Sequence, residues 1–403
     1  MIPVCLYFQV HQPYRLRRYN YFDVGRVHDY FDEGKNRALL HRISEKCYLP
    51  ATAMLLRLLE RHPAFSVSFS LSGCLLQQFR DDAPHVLAAF QALARTGRVE
   101  FLAETSHHSL AWLASRDEFV AQVDLHERRI REDFAVTPRV FRNTELIYSD
   151  DLARFLEERG YSGVLADGVE PLLGARSPQF VYRAATPRGL PLLLRDYRMS
   201  DDIAFRFSNR SWSEHPLTAE KYDRWVSALE GDVLSLFMDF ETFGEHQWKE
   251  TGIFHFFESW VALYLSRPGA GFLTPSEAIG NLAKRDVLSA PRLISWADEA
   301  RDLSAWQGNE LQRDALRRLF QLEGPVRATG SEVLLRDFRR LTTSDHFYYM
   351  ATKSYADAEV HAYFSPYESP YEAYMAFMHI LSDLDRRAAR PRPSSVRRPQ
   401  TDA

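Results

Sequence analysis

The chain has 403 residues, 45% of them hydrophobic and 26% charged, with a formal net charge of -4. That length can bury a large core in one catalytic domain with an appendage. The mixed, slightly acidic charge argues against nucleic acid or an anionic membrane as the main partner, so a neutral substrate is expected.

In chain order, the first apolar run, Val4 to Val10, reads as a strand. It lacks a basic leader and is interrupted by Gln9 and His11, which argues against a signal peptide. Cys5, Cys47 and Cys74 are odd in number and lack metal-ligand spacing, which points to a reducing compartment. No apolar run is long enough to span a bilayer, and the expected location is the cytoplasm. Further strands are predicted at Ala64 to Ser70, Val99 to Ala103, Val140 to Phe141, Gly163 to Ala166, Leu190 to Leu194, Val233 to Met238 and Gly271 to Leu273. Helical spacing occurs between them at Ala51 to Arg61, Pro84 to Arg95, Asp117 to Phe134 and Thr218 to Leu229, an alternation that predicts a parallel sheet or barrel. Ser149 before Asp150 and Asp151 resembles a helix N-terminus. The Pro-, Gly- and Arg-rich stretch Pro171 to Pro191 predicts a hairpin or loop excursion. Beyond about Pro291 only helices are expected, at Asn309 to Leu322, Ser331 to Leu341 and Pro370 to Arg387. The boundaries are therefore a barrel domain at 1–290, a helical subdomain completing the cleft at 291–388, and a basic, Pro-rich disordered tail at 389–403.

Chemistry-bearing residues gather where strands end, which in a barrel is one rim. After the first strand come His11, Gln12, Pro13 and Tyr14; His11 and Gln12 can donate to substrate hydroxyls, although a satisfied buried histidine is an equal reading. After the third come Glu104, His107 and His108. Adjacent residues of an extended chain face opposite ways, so one histidine is expected to meet the substrate while the other packs. Glu145 follows the Val140 strand, and Arg142 beside it could keep it ionised. The run Val233 to Met238 ends in Asp239, Glu241, Glu245 and His246, interleaved with Phe240, Phe243 and Trp248. Carboxylates among aromatic rings suit a sugar, with Trp248 stacking at an acceptor subsite or simply packing. Glu145 and Asp239, at the ends of separate strands, offer the two carboxyl groups that glycoside hydrolysis usually requires, although a chain with 54 acidic residues offers many pairs and a single Glu is more commonly a surface residue in an exposed ion pair. Glu241 points with Asp239 if the chain stays extended, and so could tune the site.

The segments H-Q-P-Y-R-L from His11, S-G-C-L-L-Q-Q from Ser72, F-R-N-T-E-L-I-Y-S from Phe141, M-D-F-E-T-F-G-E-H from Met238 and W-A-D-E-A-R-D-L-S-A-W-Q-G-N from Trp296 resemble, in order, the characteristic regions of glycoside hydrolase family 57. The fourth region is most similar to that of the α-amylase group. The resemblance implies an α/β fold, an incomplete (β/α)7 barrel followed by a helical C-terminal subdomain, and a retaining mechanism on α-glucans. It places Glu145 on the nucleophile and Asp239 on the general acid/base, and puts His11 and Trp306 near the substrate with Asp302 and Asn309 as neighbours. The expected protein is an α-amylase-type hydrolase of maltodextrin or glycogen, with no metal and no cofactor. One rival is a 4-α-glucanotransferase using the same carboxylates. Another, a metal-dependent deacetylase or mannosidase binding metal through His11 and His108, lacks an Asp-rich motif beside the first strand. A third is a non-catalytic glucan-binding protein.

Overall fold

A computed structural model of the chain describes residues 1–353 and 365–389. Of the tail expected at 389–403, all but Ala389 lies outside the described residues.

The strands are β1 (Val4–Val10), β2 (Val67–Leu71), β3 (Val99–Phe101), β4 (Val140–Arg142), β5 (Gly163–Asp167), β6 (Val181–Ala184), β7 (Pro191–Arg195), β8 (Leu234–Asp239), β9 (Phe272–Leu273) and β10 (Lys284–Leu288). They form two sheets, one ordered β3-β2-β1-β8 with β9 also on β1, the other β10-β6-β7-β5-β4. Neighbours are parallel except β6 and β7. That antiparallel pair is the hairpin excursion expected at 171–191; β10 has no counterpart among the predicted strands, because Lys284, Arg285 and Asp286 do not form an apolar run.

The sheets meet at both edges. Ala103 N donates to Val140 O at 3.0 Å and Arg142 N to Ala103 O at 2.8 Å, joining the β3 side to β4. Asp196 N donates to Ser235 O at 2.9 Å, joining the end of β7 to β8. The parallel strands β1, β2, β3, β4, β5, β7 and β8 therefore curl around a common axis as an incomplete (β/α)7 barrel.

Period-two alternation builds the interior. Val4, Leu6, Phe8 and Val10 pack outward against the surrounding helices, whereas Cys5 and Tyr7 join Val140, Leu165, Leu193 and Phe237 in a separate apolar cluster inside. One step further along the same inward faces, at the strand ends, stand Gln9, Arg142, Asp167, Arg195 and Asp239. The barrel is thus plugged by an apolar layer with a polar layer above it, the arrangement that leaves chemistry at the carboxyl rim.

After Leu288 the described residues form helices at Ser304–Gln307, Glu310–Gln321, Glu323–Thr329, Glu332–Leu341, Ser344–Tyr348 and Pro370–Ala388. Asn309 begins the second of these with a reciprocal capping box to Gln312, satisfying two backbone donors at the helix start. Fully buried Glu118, on the helix Arg116–Phe134, accepts from Arg339 Nε at 2.8 Å and also pairs with Arg327. Buried Asp383 accepts from Tyr30 OH and Gly25 N, both at 2.6 Å. These ties hold the helical region on the barrel. No helix among the described residues is long and apolar enough to cross a membrane.

Candidate active site

A cleft of about 1230 Å3, its open mouth included, lies over the polar layer. Both Glu145 and Asp239 line it, with His11, Gln12, His108, Glu241, His246 and Trp306.

Glu145 is positioned by a strained turn. The chain leaves β4 in a short helical turn, Thr144–Leu146, in which Glu145 has φ 56° and Leu146 φ 49°. Asn143 Nδ2 closes this turn on Ile147 O at 3.0 Å, and Trp296 N donates to Glu145 O at 3.2 Å. Non-glycine residues adopt this backbone only where their surroundings enforce it, and His108, Asp298 and Arg301, all lining the cleft, share it. The carboxylate itself receives three hydrogen bonds: His108 Nε2 at 3.1 Å and Ser344 Oγ at 3.0 Å on Oε1, and Trp296 Nε1 at 2.9 Å on Oε2. Burial alone would raise its pKa. The hydrogen bond and charge of His108, then Arg142 and the Trp296 donor, outweigh burial and hold it at about 2. Arg142 therefore acts as expected, though less strongly than His108. Its guanidinium faces the Trp296 ring at 4.9 Å, with Arg195 facing the same ring at 5.5 Å.

His108 bridges two carboxylates, because its Nδ1 lies 3.2 Å from Glu104 Oε2. Its neighbour His107 packs away from the cleft. There burial, Arg339 and Arg340 push the ring down to about pKa 3. His11 stacks on His108 with ring centroids 4.2 Å apart, and its nitrogens meet Ser72 Oγ at 2.7 Å and Asp345 Oδ2 at 3.0 Å. The stacked rings send their nitrogens in-plane to separate protein partners and not to a shared point.

Across the cleft, Asp239 ends β8 in register with Gln9 of β1. The chain then turns through Phe240–Thr242 and does not continue extended, so the expected alternation does not apply; Glu241 still reaches the cleft, but through the turn. Burial, followed by the Asp239 charge, pushes Glu241 up to about 7, against hydrogen bonds from Tyr48 OH at 2.5 Å and Gln12 Nε2 at 3.4 Å. Gln12 is held in turn by Arg15 Nη2 at 2.8 Å. The turn lies tight on the segment Ser44–Tyr48: at Gly244, with φ +101°, a Cβ would sit 1.9 Å from Lys46 O. Glu245 is drawn out of the cleft by Arg42 Nη2 at 2.7 Å, which separates it from Asp239 and Glu241.

Besides Glu245, three expected residues, Trp248, Asp302 and Asn309, lie outside the cleft lining. Trp248 is 60% exposed beyond the rim, and the Asp302 carboxylate accepts from Ser304 N at 2.8 Å. Asn309, the suggested neighbour, caps its helix and donates to Met350 O at 2.8 Å. Conversely, Asp298, Arg301, Trp296, Arg195, Asp201 and Asp345 line the cleft without having been singled out. Arg195 Nη2 bonds Asp201 Oδ1 at 2.5 Å, and Arg301 Nη1 lies 3.2 Å from buried Asp167 Oδ2, a network of opposite charges beneath the site. Trp296 and Arg301 fall inside the fifth quoted segment, where their aromatic and cationic character was the available signal. Asp201 lies on the helix Tyr197–Ala204, which is absent from the predicted elements. Ser344 and Asp345 gave no such signal.

Residues 5–291 match the family model described as Glycosyl hydrolase family 57. The chain belongs to glycosyl hydrolase family 57. A curated protein of Methanocaldococcus jannaschii named "Putative alpha-amylase" is 37% identical over 390 residues, 94% of this chain and 83% of that one. Among solved structures, a GH57-type branching enzyme from Pyrococcus horikoshii superposes with a TM-score of 0.71 at 15% identity, covering 94% of this chain and 88% of that one. A 4-alpha-glucanotransferase from Thermococcus litoralis gives 0.64 at 15% identity over 86% of this chain; this chain spans only 56% of its length. At such identities the structural likeness speaks for the fold. Family membership makes this family 57 chain a glycoside hydrolase.

Proposed function

We propose that this protein is a retaining, α-amylase-type hydrolase of α-1,4-glucans such as maltodextrin or glycogen. The observation that carries the reading is the state of Glu145: a carboxylate that His108, Arg142 and Trp296 hold down to a pKa of about 2 against burial, in the same cleft as Asp239. A carboxylate that stays ionised suits a nucleophile, whereas a general acid must carry a proton before the reaction. In the first step Glu145 forms an ester to the anomeric carbon while the glycosidic C–O bond breaks, and the Asp239 carboxyl gives its proton to the departing oxygen. In the second, Asp239 takes a proton from water, whose oxygen attacks the same carbon and releases Glu145. Two inversions leave the α configuration unchanged. His11, Gln12, His108, Glu241, His246 and Trp306 would contact the sugar or steady these groups. Trp248 would stack further out on the acceptor side, and Asp302 would act only through the backbone it caps. The barrel part, 1–290, and the helical part, 291–388, would share the substrate, and three buried free cysteines favour the cytoplasm.

Incubation with maltoheptaose, followed by chromatography and NMR of the anomers, tests this reading. Shorter oligosaccharides released as the α anomer are expected. Longer products would instead indicate 4-α-glucanotransfer, with an acceptor hydroxyl replacing water. Release of the β anomer would overturn the mechanism, and glucan bound but uncut would favour a binding protein.

A further inference from the structure

The charge network beneath the site holds the loop that carries Trp296. Residues 295–302 fold back on themselves, because Ser295 N donates to Arg301 O at 3.1 Å and Ser295 Oγ donates to Asp302 O at 2.6 Å. Asp298 and Arg301 turn this loop with φ 55° and 50°, a backbone that side-chain-bearing residues keep only under constraint. On the Arg301 side the constraint is its own guanidinium. Nη1 lies 3.2 Å from Asp167 Oδ2 and donates to Trp296 O at 2.5 Å, while Nη2 lies 3.6 Å from Asp201 Oδ2. Asp167 ends β5 and is fully buried, and Asp201 stands on the helix Tyr197–Ala204. One planar fork thus ties the Trp296 backbone to two elements of the barrel.

What this loop delivers is a single donor. Trp296 Nε1 reaches Glu145 Oε2 at 2.9 Å, whereas His108 and Ser344 serve the other oxygen, Oε1. Arg142 and Arg195 face the indole ring and restrict its plane, but the Trp296 backbone sets how far the N–H reaches. A hydrogen bond weakens steeply once its angle or distance drifts, so a loop that shifts withdraws the donor. Arg195 occupies the remaining places on the same two carboxylates, with Nη1 3.6 Å from Asp167 Oδ1 and Nη2 2.5 Å from Asp201 Oδ1. Two guanidiniums and two carboxylates balance in charge and can be buried together; without Arg301 both carboxylates depend on one cation.

We propose that Arg301 is a positioning residue: anchored on Asp167 and Asp201, it holds the loop 295–302 where the Trp296 indole N–H meets Glu145. The proposal rests on the glycosidase reading above, in which Glu145 is the nucleophile. It gives the buried charges beneath the cleft a role in the reaction, exerted through Trp296 and not through the substrate.

The test follows kcat/KM on maltoheptaose across pH for wild type, Arg301→Gln, Trp296→Phe and the double variant, with thermal unfolding alongside. Arg301→Gln should lower kcat/KM by about tenfold, no more than Trp296→Phe does. It should also move the acid limb of the profile to higher pH, because Glu145 loses a donor while His108 and Arg142 still face it. In the Trp296→Phe background the same change should cost less than about twofold and leave the acid limb in place, since both substitutions remove one contact. Arg301→Lys replaces Gln if that variant does not unfold cooperatively. Its ammonium keeps a charge beside Asp167 but cannot span Trp296 O and two carboxylates, so the same fall and the same limb shift are expected. An Arg301 variant within about twofold of wild type, or one with an unchanged acid limb, overturns the proposal. So does a loss that is undiminished in the Trp296→Phe background, since Arg301 would then act on the substrate or through its charge alone. A wild-type enzyme that leaves maltoheptaose intact removes the glycosidase reading and this proposal with it, whereas an active wild type with an indifferent Arg301 removes this proposal alone.

Discussion

The two walls of the cleft treat their carboxyl groups in opposite ways. On one wall Glu145 is surrounded by donors, His108, Trp296 and Ser344, and its backbone is fixed in a conformation that an L-residue rarely adopts. On the other, Asp239 and Glu241 crowd together two residues apart, and Glu241 is pushed up to about 7. The same functional group therefore meets a site that stabilises its charge on one side and one that favours its protonated form on the other. Environment, more than residue type, separates a carboxyl group held ionised from one pushed towards its protonated form.

The comparison breaks most sharply at its charged pole. Glu145→Gln keeps the shape but removes the carboxylate proposed as nucleophile, and kcat on maltoheptaose should fall by roughly 10,000-fold, the scale of losing a central catalytic group. Retention of more than a few per cent activity would assign attack elsewhere.

Asp239→Asn comes next, with a loss of about 100- to 10,000-fold on maltoheptaose. An aryl α-glycoside with an acidic phenol leaving group should be cleaved with a much smaller deficit in the first step, because its oxygen needs no proton. Equal loss on both substrates would contradict the acid role.

Trp296→Phe removes one donor to Glu145 Oε2 while keeping an aromatic ring between the two guanidiniums. A hydrogen bond to a charged group predicts about a 10- to 100-fold drop in kcat/KM. The lost donor also raises the pKa of Glu145. Activity should therefore begin to fail at a higher pH than in wild type as the solution is acidified, and an unchanged acid limb of the pH profile would refute this.

The smallest effect tests the proton-favouring wall. Glu241 rises from an ordinary 4.5 to about 7 in the fold, so between those values the native state binds the extra proton. Stability should then decline as pH rises from about 4.5 through about 7 and level off above it. Glu241→Gln stays neutral and retains an oxygen for Tyr48. It should remove that decline, a gain on the order of 1 to 3 kcal/mol over wild type above neutral pH. Denaturant titrations at acidic and alkaline pH measure it, and parallel curves for the two proteins would count against the burial argument.

The local signals that were legible share one property: each is written in consecutive residues. The apolar runs that became β1, β2, β5, β7 and β8, the Ser149 helix start and the helices Glu310–Gln321, Glu332–Leu341 and Pro370–Ala388 need only period and capping, and they stand within a few residues of the expected bounds, whereas the short helices Glu323–Thr329 and Ser344–Tyr348 have no counterpart among the predictions. Glu145 and Asp239 were visible because a strand ending in a carboxylate marks a barrel rim. The exclusion of Glu245 was not visible, since only folding brings Arg42 beside it. Nor was the position of Glu241, because a helical turn after Asp239 replaced the extended chain on which alternation depends.

By itself, then, the sequence determined the strand-and-helix rhythm, the quoted motifs and the pair of acids at two strand ends, because these follow from neighbours along the chain. The tertiary structure decided which acid is charged, which tryptophan donates and which late residue enters the cleft. His108, Trp296, Ser344 and Asp345 lie up to 200 positions from Glu145, whose contact with Ser344 spans 199 residues. Hydrogen bonds and Coulomb forces act over a few ångströms of space, and sequence separation carries no information about them until the barrel and the helical region have closed on one another.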